Sequence, residues 1–265
     1  MTLTAVEMFD LTGQAAFVSG AAGGLGFAMA EVLAENGAGV MMTDIDVRKL
    51  DKSAELLAKR GLKIDTLELD VANLGAIEST IETAAKKFGR LDIVCANAGL
   101  SAGPGPLTPT GGMAQVDLKR WDELLRINLT SVFVTIRAAS AQMRPRKYGR
   151  IIVTSSVAGL RGERLCGYGY VAAKAAISNL VRQSALELAS DNVTINAVAP
   201  GPFLTNIGGG RLKEPEVASL FVKEVPMNRI GTPDEIQGLV LLLASKASSF
   251  MTGTVIPIDG GASAS

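Results

Sequence analysis

The sequence predicts an α/β fold: a single domain over residues 1–265 in which a seven-stranded parallel sheet is flanked by helices on both faces in a doubly wound arrangement. Three observations carry this expectation. Short β-branched and apolar runs alternate with longer stretches of helical period, the mark of strand–helix–strand units. A glycine-rich turn stands between the first such run and the first helical stretch. The 265 residues, 48% of them hydrophobic, supply one sizeable core, and no Ser/Pro-rich or charged tract divides the chain.

Taken in order, the apolar run 14–19 is the first strand, and helix 25–36 follows, with Gly37 standing where a helix should stop. Runs 39–43, 63–69 and 91–96 are the next three strands, joined by helices 47–60 and 74–88. A long helix, 118–143, precedes strand 150–154, and helix 168–189 precedes strand 193–198. Pro233, suited to a first helical position, opens helix 233–243, and run 254–258 completes the sheet. Two segments break the pattern: about 100–117, rich in Gly, Pro and Thr, and 201–225, which contains Gly208-Gly209-Gly210. Each follows the carboxyl end of a strand, where open α/β sheets bind ligands, so both are expected to wall or cover a pocket.

Composition excludes several kinds of function. Lys+Arg and Asp+Glu both total 26, and no basic stripe suits nucleic acid or an anionic membrane. Small molecules are the expected partners. The longest apolar stretch, around 239–244, is far short of the 18 or so residues of a spanning helix, and residues 1–10 lack a secretory signal, so a soluble cytoplasmic protein is expected. Cys95 and Cys166 are too few and too far apart for a disulfide framework or a thiolate zinc site. The chain has no histidine, which rules out a Ser-His-Asp triad and a histidine metal site. Proton transfer falls to Tyr, Lys, Asp, Glu or Cys.

The first turn reads Ser19-Gly20-Ala21-Ala22-Gly23-Gly24-Leu25-Gly26. Glycines there permit a tight turn and close approach of backbone to pyrophosphate, while the helix start offers N–H groups and a positive dipole, the Rossmann-type way of holding a dinucleotide. Asp44, at the end of the second strand, stands near the place from which a carboxylate accepts from a ribose 2′-hydroxyl and repels a 2′-phosphate. NAD is therefore expected over NADP, with Asp46 the competing carboxylate.

Tyr170 and Lys174 are four residues apart on one helical face, and Ser156 precedes them. A free phenol keeps its proton until about pH 10. An ammonium at roughly 4 Å, at an effective dielectric near 20, contributes on the order of 4 kcal/mol, or about three pKa units, before screening and desolvation reduce it. A second cation, such as an oxidised nicotinamide, is expected to share the work.

These residues, from Gly13 to Gly261 in order, resemble the classical short-chain dehydrogenase/reductases. The glycine motif matches with Ser19 in place of threonine. Gly20, Gly24, Leu25 and Gly26, with Asp44 and Ile45, would hold the dinucleotide, and Asp70-Val71 resembles the pair at the adenine. Ala96-Asn97-Ala98-Gly99 resembles the Asn-Asn-Ala-Gly segment beside the ribose, its first asparagine absent. Asn128 matches the asparagine that holds a water in the proton relay, and Ser156, Tyr170 and Lys174 match the catalytic set. Pro200-Gly201, with Phe203 and Thr205, resembles the stretch at the nicotinamide. The interval from Ser156 to Tyr170 is one residue longer than usual, which leaves Ser155 open as the catalytic hydroxyl, and Tyr168 is a decoy because Ala172 stands four beyond it.

The resemblance implies hydride exchange between a nicotinamide and a secondary alcohol, whether polyol, hydroxy acid or cyclic or aromatic alcohol. It also implies a homotetramer packed through helices 118–143 and 168–189. An acyl-carrier-protein ketoacyl reductase, which 228–234 and Asp259-Gly260-Gly261 also resemble, and a non-catalytic nicotinamide-binding regulator are the alternatives. Ser101, Ala158, Cys166, Phe203 and Leu204 are the pocket candidates, and Arg161, Glu163 and Arg164 lie between the serine and the tyrosine.

Overall fold

A computed structural model of the protein describes residues 3–101 and 103–264. Its strands are β1 (Ala15–Ser19), β2 (Gly39–Asp44), β3 (Ile64–Glu68), β4 (Ile93–Ala96), β5 (Gly149–Thr154), β6 (Val193–Pro200) and β7 (Val255–Ile258). They form one seven-stranded sheet in the order β3-β2-β1-β4-β5-β6-β7, every neighbouring pair parallel. The helices are α1 (Ala5–Phe9), α2 (Gly24–Glu35), α3 (Val47–Ala58), α4 (Leu74–Phe88), α5 (Leu118–Leu125), α6 (Ser131–Met143), α7 (Tyr168–Leu188), α8 (Pro215–Val222) and α9 (Gln237–Ala244).

Parallel strands need crossovers, and the crossovers bury both faces of the sheet. Side chains alternate across each strand, so Ala16 and Val18 join a core with Leu33, Leu50 and Val240, while Phe17 joins the opposite core with Ile81, Ile136 and Val181. Helix α3 begins where the Asp46 side chain accepts from Lys49 N, and α4 where Asn73 accepts from Ala76 N. Gly89, at φ 71°, ends α4 in the left-handed region.

The helix expected over 233–243 opens as a 3-10 turn, Pro233–Ile236, and becomes α-helical only at Gln237; the other expected elements occur with ends shifted by a residue or two, and three further features differ. The helix expected over 118–143 is interrupted by a π turn, Arg126–Thr130, between α5 and α6. Fully buried in this wider turn, Asn128 accepts from Leu100 N at 2.7 Å and donates to Leu100 O at 2.8 Å. Those two bonds help to offset the irregular turn. The segment 201–225 is not without regular structure: α8 starts at Pro215, a first-turn proline that the preceding glycine run obscures. Near the amino end, α1 is closed by a Thr4–Glu7 capping box.

Gly26 sets how closely α2 approaches β1. A Cβ there would lie 2.0 Å from Gly20 O and 2.7 Å from Asn97 Nδ2, whereas one at Gly23 meets nothing within 4 Å. Gly26→Ala is therefore expected to lower stability by about 3 kcal/mol, and Gly23→Ala to stay within about 0.5 kcal/mol of the parent. Urea unfolding of the two variants checks this; equal midpoints would show that the helix has room to retreat.

Candidate active site

Chain direction across the sheet reverses between β1 and β4, opening a crevice at the carboxyl ends of these strands. The turn after β1 lies in it. Gly20 (φ 67°) and Gly24 (φ 56°) take left-handed conformations, and Gly23 at the start of α2 makes no side-chain cap hydrogen bond. The helix start thus has no capping side chain in the way of an anion. Together with the close contact at Gly26, these residues fit a pyrophosphate.

Asp44 ends β2 beside this turn, where its carboxylate accepts from Ala22 N at 3.1 Å and Asp46 N at 3.0 Å. Asp46 has a different task, capping α3 and pairing with Lys49 at 2.6 Å. The Ile45 side chain next to Asp44 is exposed. Asp70 turns the chain after β3 by accepting from Ala72 N at 2.9 Å, and Val71 packs against the α4 side of the core. On the far side of the crevice, Thr205 Cγ2 lies 3.2 Å from where a Gly24 Cβ would stand, so the segment after β6 folds back over the glycine turn.

Between the two sides stands Asn97. Its Nδ2 donates to Ser19 O at 3.0 Å and Gly20 O at 3.3 Å, and its Oδ1 accepts from Thr154 Oγ1 at 3.1 Å. The Ser19 hydroxyl in turn accepts from Asn97 N and Ala98 N, both at 3.1 Å. Serine thus serves where the family has threonine, because only the hydroxyl is used. Gly99 packs so closely that a Cβ would lie 3.0 Å from Asn128 Oδ1 and 3.9 Å from Lys174 Nζ.

Helix α7 brings Tyr170 and Lys174 to the same place. The Lys174 side chain is buried, its Nζ donates to Thr154 O at 2.7 Å, and it lies 5.5 Å from the centre of the Tyr170 ring. Ser156 is hydrogen-bonded to the Tyr170 hydroxyl, accepts from Ala158 N at 3.2 Å and reaches Pro200 O at 3.5 Å. Ser155 points elsewhere: its hydroxyl is engaged by Lys174 O at 3.2 Å and Ser178 Oγ at 3.0 Å, deep between β5 and α7. Of the two serines, Ser156 alone meets the tyrosine.

Other candidates fall to the side. Phe203 is buried with its ring against Gly231, in a cleft of about 170 Å³ that it shares with Val225 and Met227. Gly201 packs on Asp259, and Pro200 ends β6 opposite Ile258. Tyr168 lines another cleft, of about 160 Å³, with Trp121 and Gln115. Neither cleft is lined by Tyr170, which stands at the crevice itself. Leu100, which pattern reading missed, acts here through main-chain atoms and leaves no side-chain signal, while Thr154, also missed, acts through both its carbonyl and its hydroxyl.

Burial moves the two key groups in opposite directions. Loss of solvent pushes Tyr170 up to about 12, against a smaller lowering by the Ser156 hydrogen bond, and Cys166 adds to the rise. The same loss of solvent takes Lys174 down to about 8. The expected lowering of the phenol by the ammonium is not seen, for a simple reason. At the pH where the buried phenol would ionise, the amine has already given up its proton, and no cation is left to help.

Comparison with known proteins identifies the family of this chain. Residues 20–263 match the family model described as enoyl-(acyl carrier protein) reductase. The 3-oxoacyl-[acyl-carrier-protein] reductase of Thermotoga maritima is 33% identical over 95% of this chain and 98% of its own. The cis-4-hydroxycyclohexanecarboxylate dehydrogenase of Sinomonas cyclohexanicum is 33% identical over 93% and 95%. The crystal structure of a gluconate 5-dehydrogenase from Burkholderia cenocepacia, in complex with NADP and tartrate, superposes with a TM-score of 0.89 at 29% identity, covering 99% of this chain and 100% of that one. The chain belongs to the classical short-chain dehydrogenase/reductase family. It is thus related throughout its length to oxidoreductases of alcohols and ketones that use a nicotinamide cofactor.

The Lys174 shift has a consequence for stability. Between the folded value of about 8 and the ordinary 10.5, the unfolded chain holds a proton that the folded chain has released, so this group's contribution becomes less unfavourable as pH rises. Lys174→Met is expected to be more stable than the parent at pH 7 by up to about 3 kcal/mol, with the gap closing between pH 8 and 10.5. Paired denaturant titrations across that range measure it; a gap independent of pH would mean the ammonium is not desolvated.

Proposed function

We propose that the protein interconverts a secondary alcohol and its ketone, with NAD as the preferred cofactor and Tyr170 as general acid and base. The observation that carries this reading is the meeting of Ser156, Tyr170 and Lys174 at the crevice beside the glycine turn. The bound nicotinamide supplies the acceptor or donor of hydride. In the oxidising direction Tyr170 Oη takes the hydroxyl proton as the carbinol C–H bond yields its hydride. In reduction the same oxygen returns the proton to the forming alkoxide. Ser156 Oγ holds the substrate oxygen where charge develops. Lys174 Nζ, among Thr154 O, Gly99 and Asn128, would hold the ribose and pass a proton on to a water kept behind it by Asn128 as it takes one up. A positive charge arriving beside the phenol is what brings its pKa down toward the working range.

For the cofactor, Gly20, Gly24, Leu25 and Gly26 would seat the pyrophosphate and Asp44 the adenosine ribose, with Ile45, Asp70 and Val71 at the adenine. Asn97, Ala98 and Gly99 would flank the second ribose, with Pro200, Gly201, Phe203 and Thr205 toward the nicotinamide. Asp44 favours NAD, although the related gluconate 5-dehydrogenase was solved with NADP. A polyol, hydroxy acid or cyclic alcohol fits this reading better than an acyl-carrier substrate, because the chain is neutral and an acidic carrier needs a basic face. The assembly we favour is a cytoplasmic homotetramer built on α5, α6 and α7, where Leu118, Phe133 and Leu186 are exposed.

Initial rates on a panel of polyols, hydroxy acids, cyclic alcohols and their ketones test the activity. Preference for NAD over NADP is expected to be about 100-fold, the effect of about 3 kcal/mol of like-charge repulsion, and to fall sharply in Asp44→Ala. A parent enzyme that favours NADP would refute the cofactor assignment. Tyr170→Phe should lose turnover by about 1,000-fold while NAD still binds, and Ser156→Ala by about 100-fold. Ser155→Ala should chiefly lower stability, by about 1 kcal/mol. If Ser155→Ala is the slower enzyme of the two serine variants, the roles are reversed.

A further inference from the structure

We propose that Thr154 is the positioning residue for Lys174: its hydroxyl, by bonding to Asn97, fixes the peptide whose carbonyl holds the lysine amine at the place proposed for the nicotinamide ribose. This rests on the dehydrogenase reading and deepens it. Thr154 is the last residue of β5 and is buried. Ser155 N donates to Val198 O on β6 at 2.8 Å, so the carbonyl of the same planar peptide, Thr154 O, faces the other way, towards β4. Pairing between β4 and β5 stops at Ala96 and Val153. Beyond that last pair the ladder gives the carbonyl no partner, and a buried carbonyl needs one. Lys174 Nζ supplies it, donating at 2.7 Å.

The main chain of the lysine is fixed separately. Ser155 Oγ donates to Lys174 O at 3.2 Å, Ser178 Oγ donates to the same oxygen at 3.0 Å, and a Cβ on Gly159 would stand 2.4 Å from it. The connection beyond Ser156 is braced as well, since a Cβ on Gly105 would stand 2.0 Å from Arg164 O. With helix and connection held, what remains adjustable is the flexible lysine stem, and Thr154 O sets where its tip stops. The Thr154 hydroxyl donates to Asn97 Oδ1 at 3.1 Å, while Asn97 Nδ2 donates to Ser19 O and Gly20 O. One side chain thus ties the peptide that carries the amine to the glycine turn, the candidate cradle of the same dinucleotide. In so buried a place a hydrogen bond is electrostatically stronger than in water, so the direction of this carbonyl matters.

Thr154→Val removes the hydroxyl while keeping the size and branching that suit a strand, and Thr154→Ser keeps the hydroxyl. Affinity for whichever of NAD and NADP the parent binds is read by calorimetric titration. Thr154→Val is expected to weaken binding about tenfold and Thr154→Ser less than about threefold. An unchanged affinity in Thr154→Val overturns the assignment, and so does a serine variant as weak as the valine one. The same substitution is then made in Lys174→Met. If Thr154 acts through the amine, the valine change that weakens binding about tenfold in the parent weakens it less than about twofold once the lysine is gone. A merely structural role would weaken binding equally in both backgrounds, and that result also overturns the proposal. Coupled binding in a protein that oxidises no alcohol would uphold the role of Thr154 and count against the dehydrogenase reading alone.

Discussion

One side-chain amide holds the carboxyl edge of the sheet together, and the placement of the reacting groups follows from it. Asn97 reaches from the end of β4 to the main chain at the end of β1 and to the Thr154 hydroxyl at the end of β5. The glycine turn follows directly on β1, and Ser156 lies two residues beyond β5. The candidate cofactor cradle and the candidate reacting hydroxyl are thereby held to one reference point. In this family the preceding residue is also an asparagine; here Ala96 is buried in the core below, so that position adds packing and the polar bracing rests on Asn97 and Ser19.

The site's electrostatics are incomplete within the chain itself. Burial favours the neutral form of both the phenol and the amine, which is what a site needs in order to exclude water and the opposite of what proton transfer requires. The protein supplies geometry and a dry setting. In the proposed reaction, the charge that makes Tyr170 acidic would come with the cofactor, which would couple the proton step to occupancy of the dinucleotide cradle. Under the proposed chemistry, an alcohol arriving first meets a phenol that still holds its proton.

Much of this was readable from residue order. Strands buried on both faces appear as unbroken apolar runs such as Ile151-Ile152-Val153, and α3 and α4 begin at Asp46 and Asn73, side chains suited to capping. The Tyr170–Lys174 spacing is itself a statement about a helix face. What stayed hidden depends on direction. Five residues of π turn have the same composition as five residues of α-helix, so the bulge at Asn128 leaves no periodic trace. Ser155 and Ser156 are adjacent and chemically identical, and only the path of the strand shows which one is buried against Lys174. The lysine shift arises from desolvation at β5, a property of packing.

The connection between Ser156 and Tyr170, at Arg164, and the segment at Gly105 meet main chain to main chain, with no room for even a methyl group between them. Their shapes are mutually determined. Exchange of either stretch between relatives, whether by recombination in nature or by grafting in the laboratory, must move both as one module; either transplanted alone would arrive without its mould.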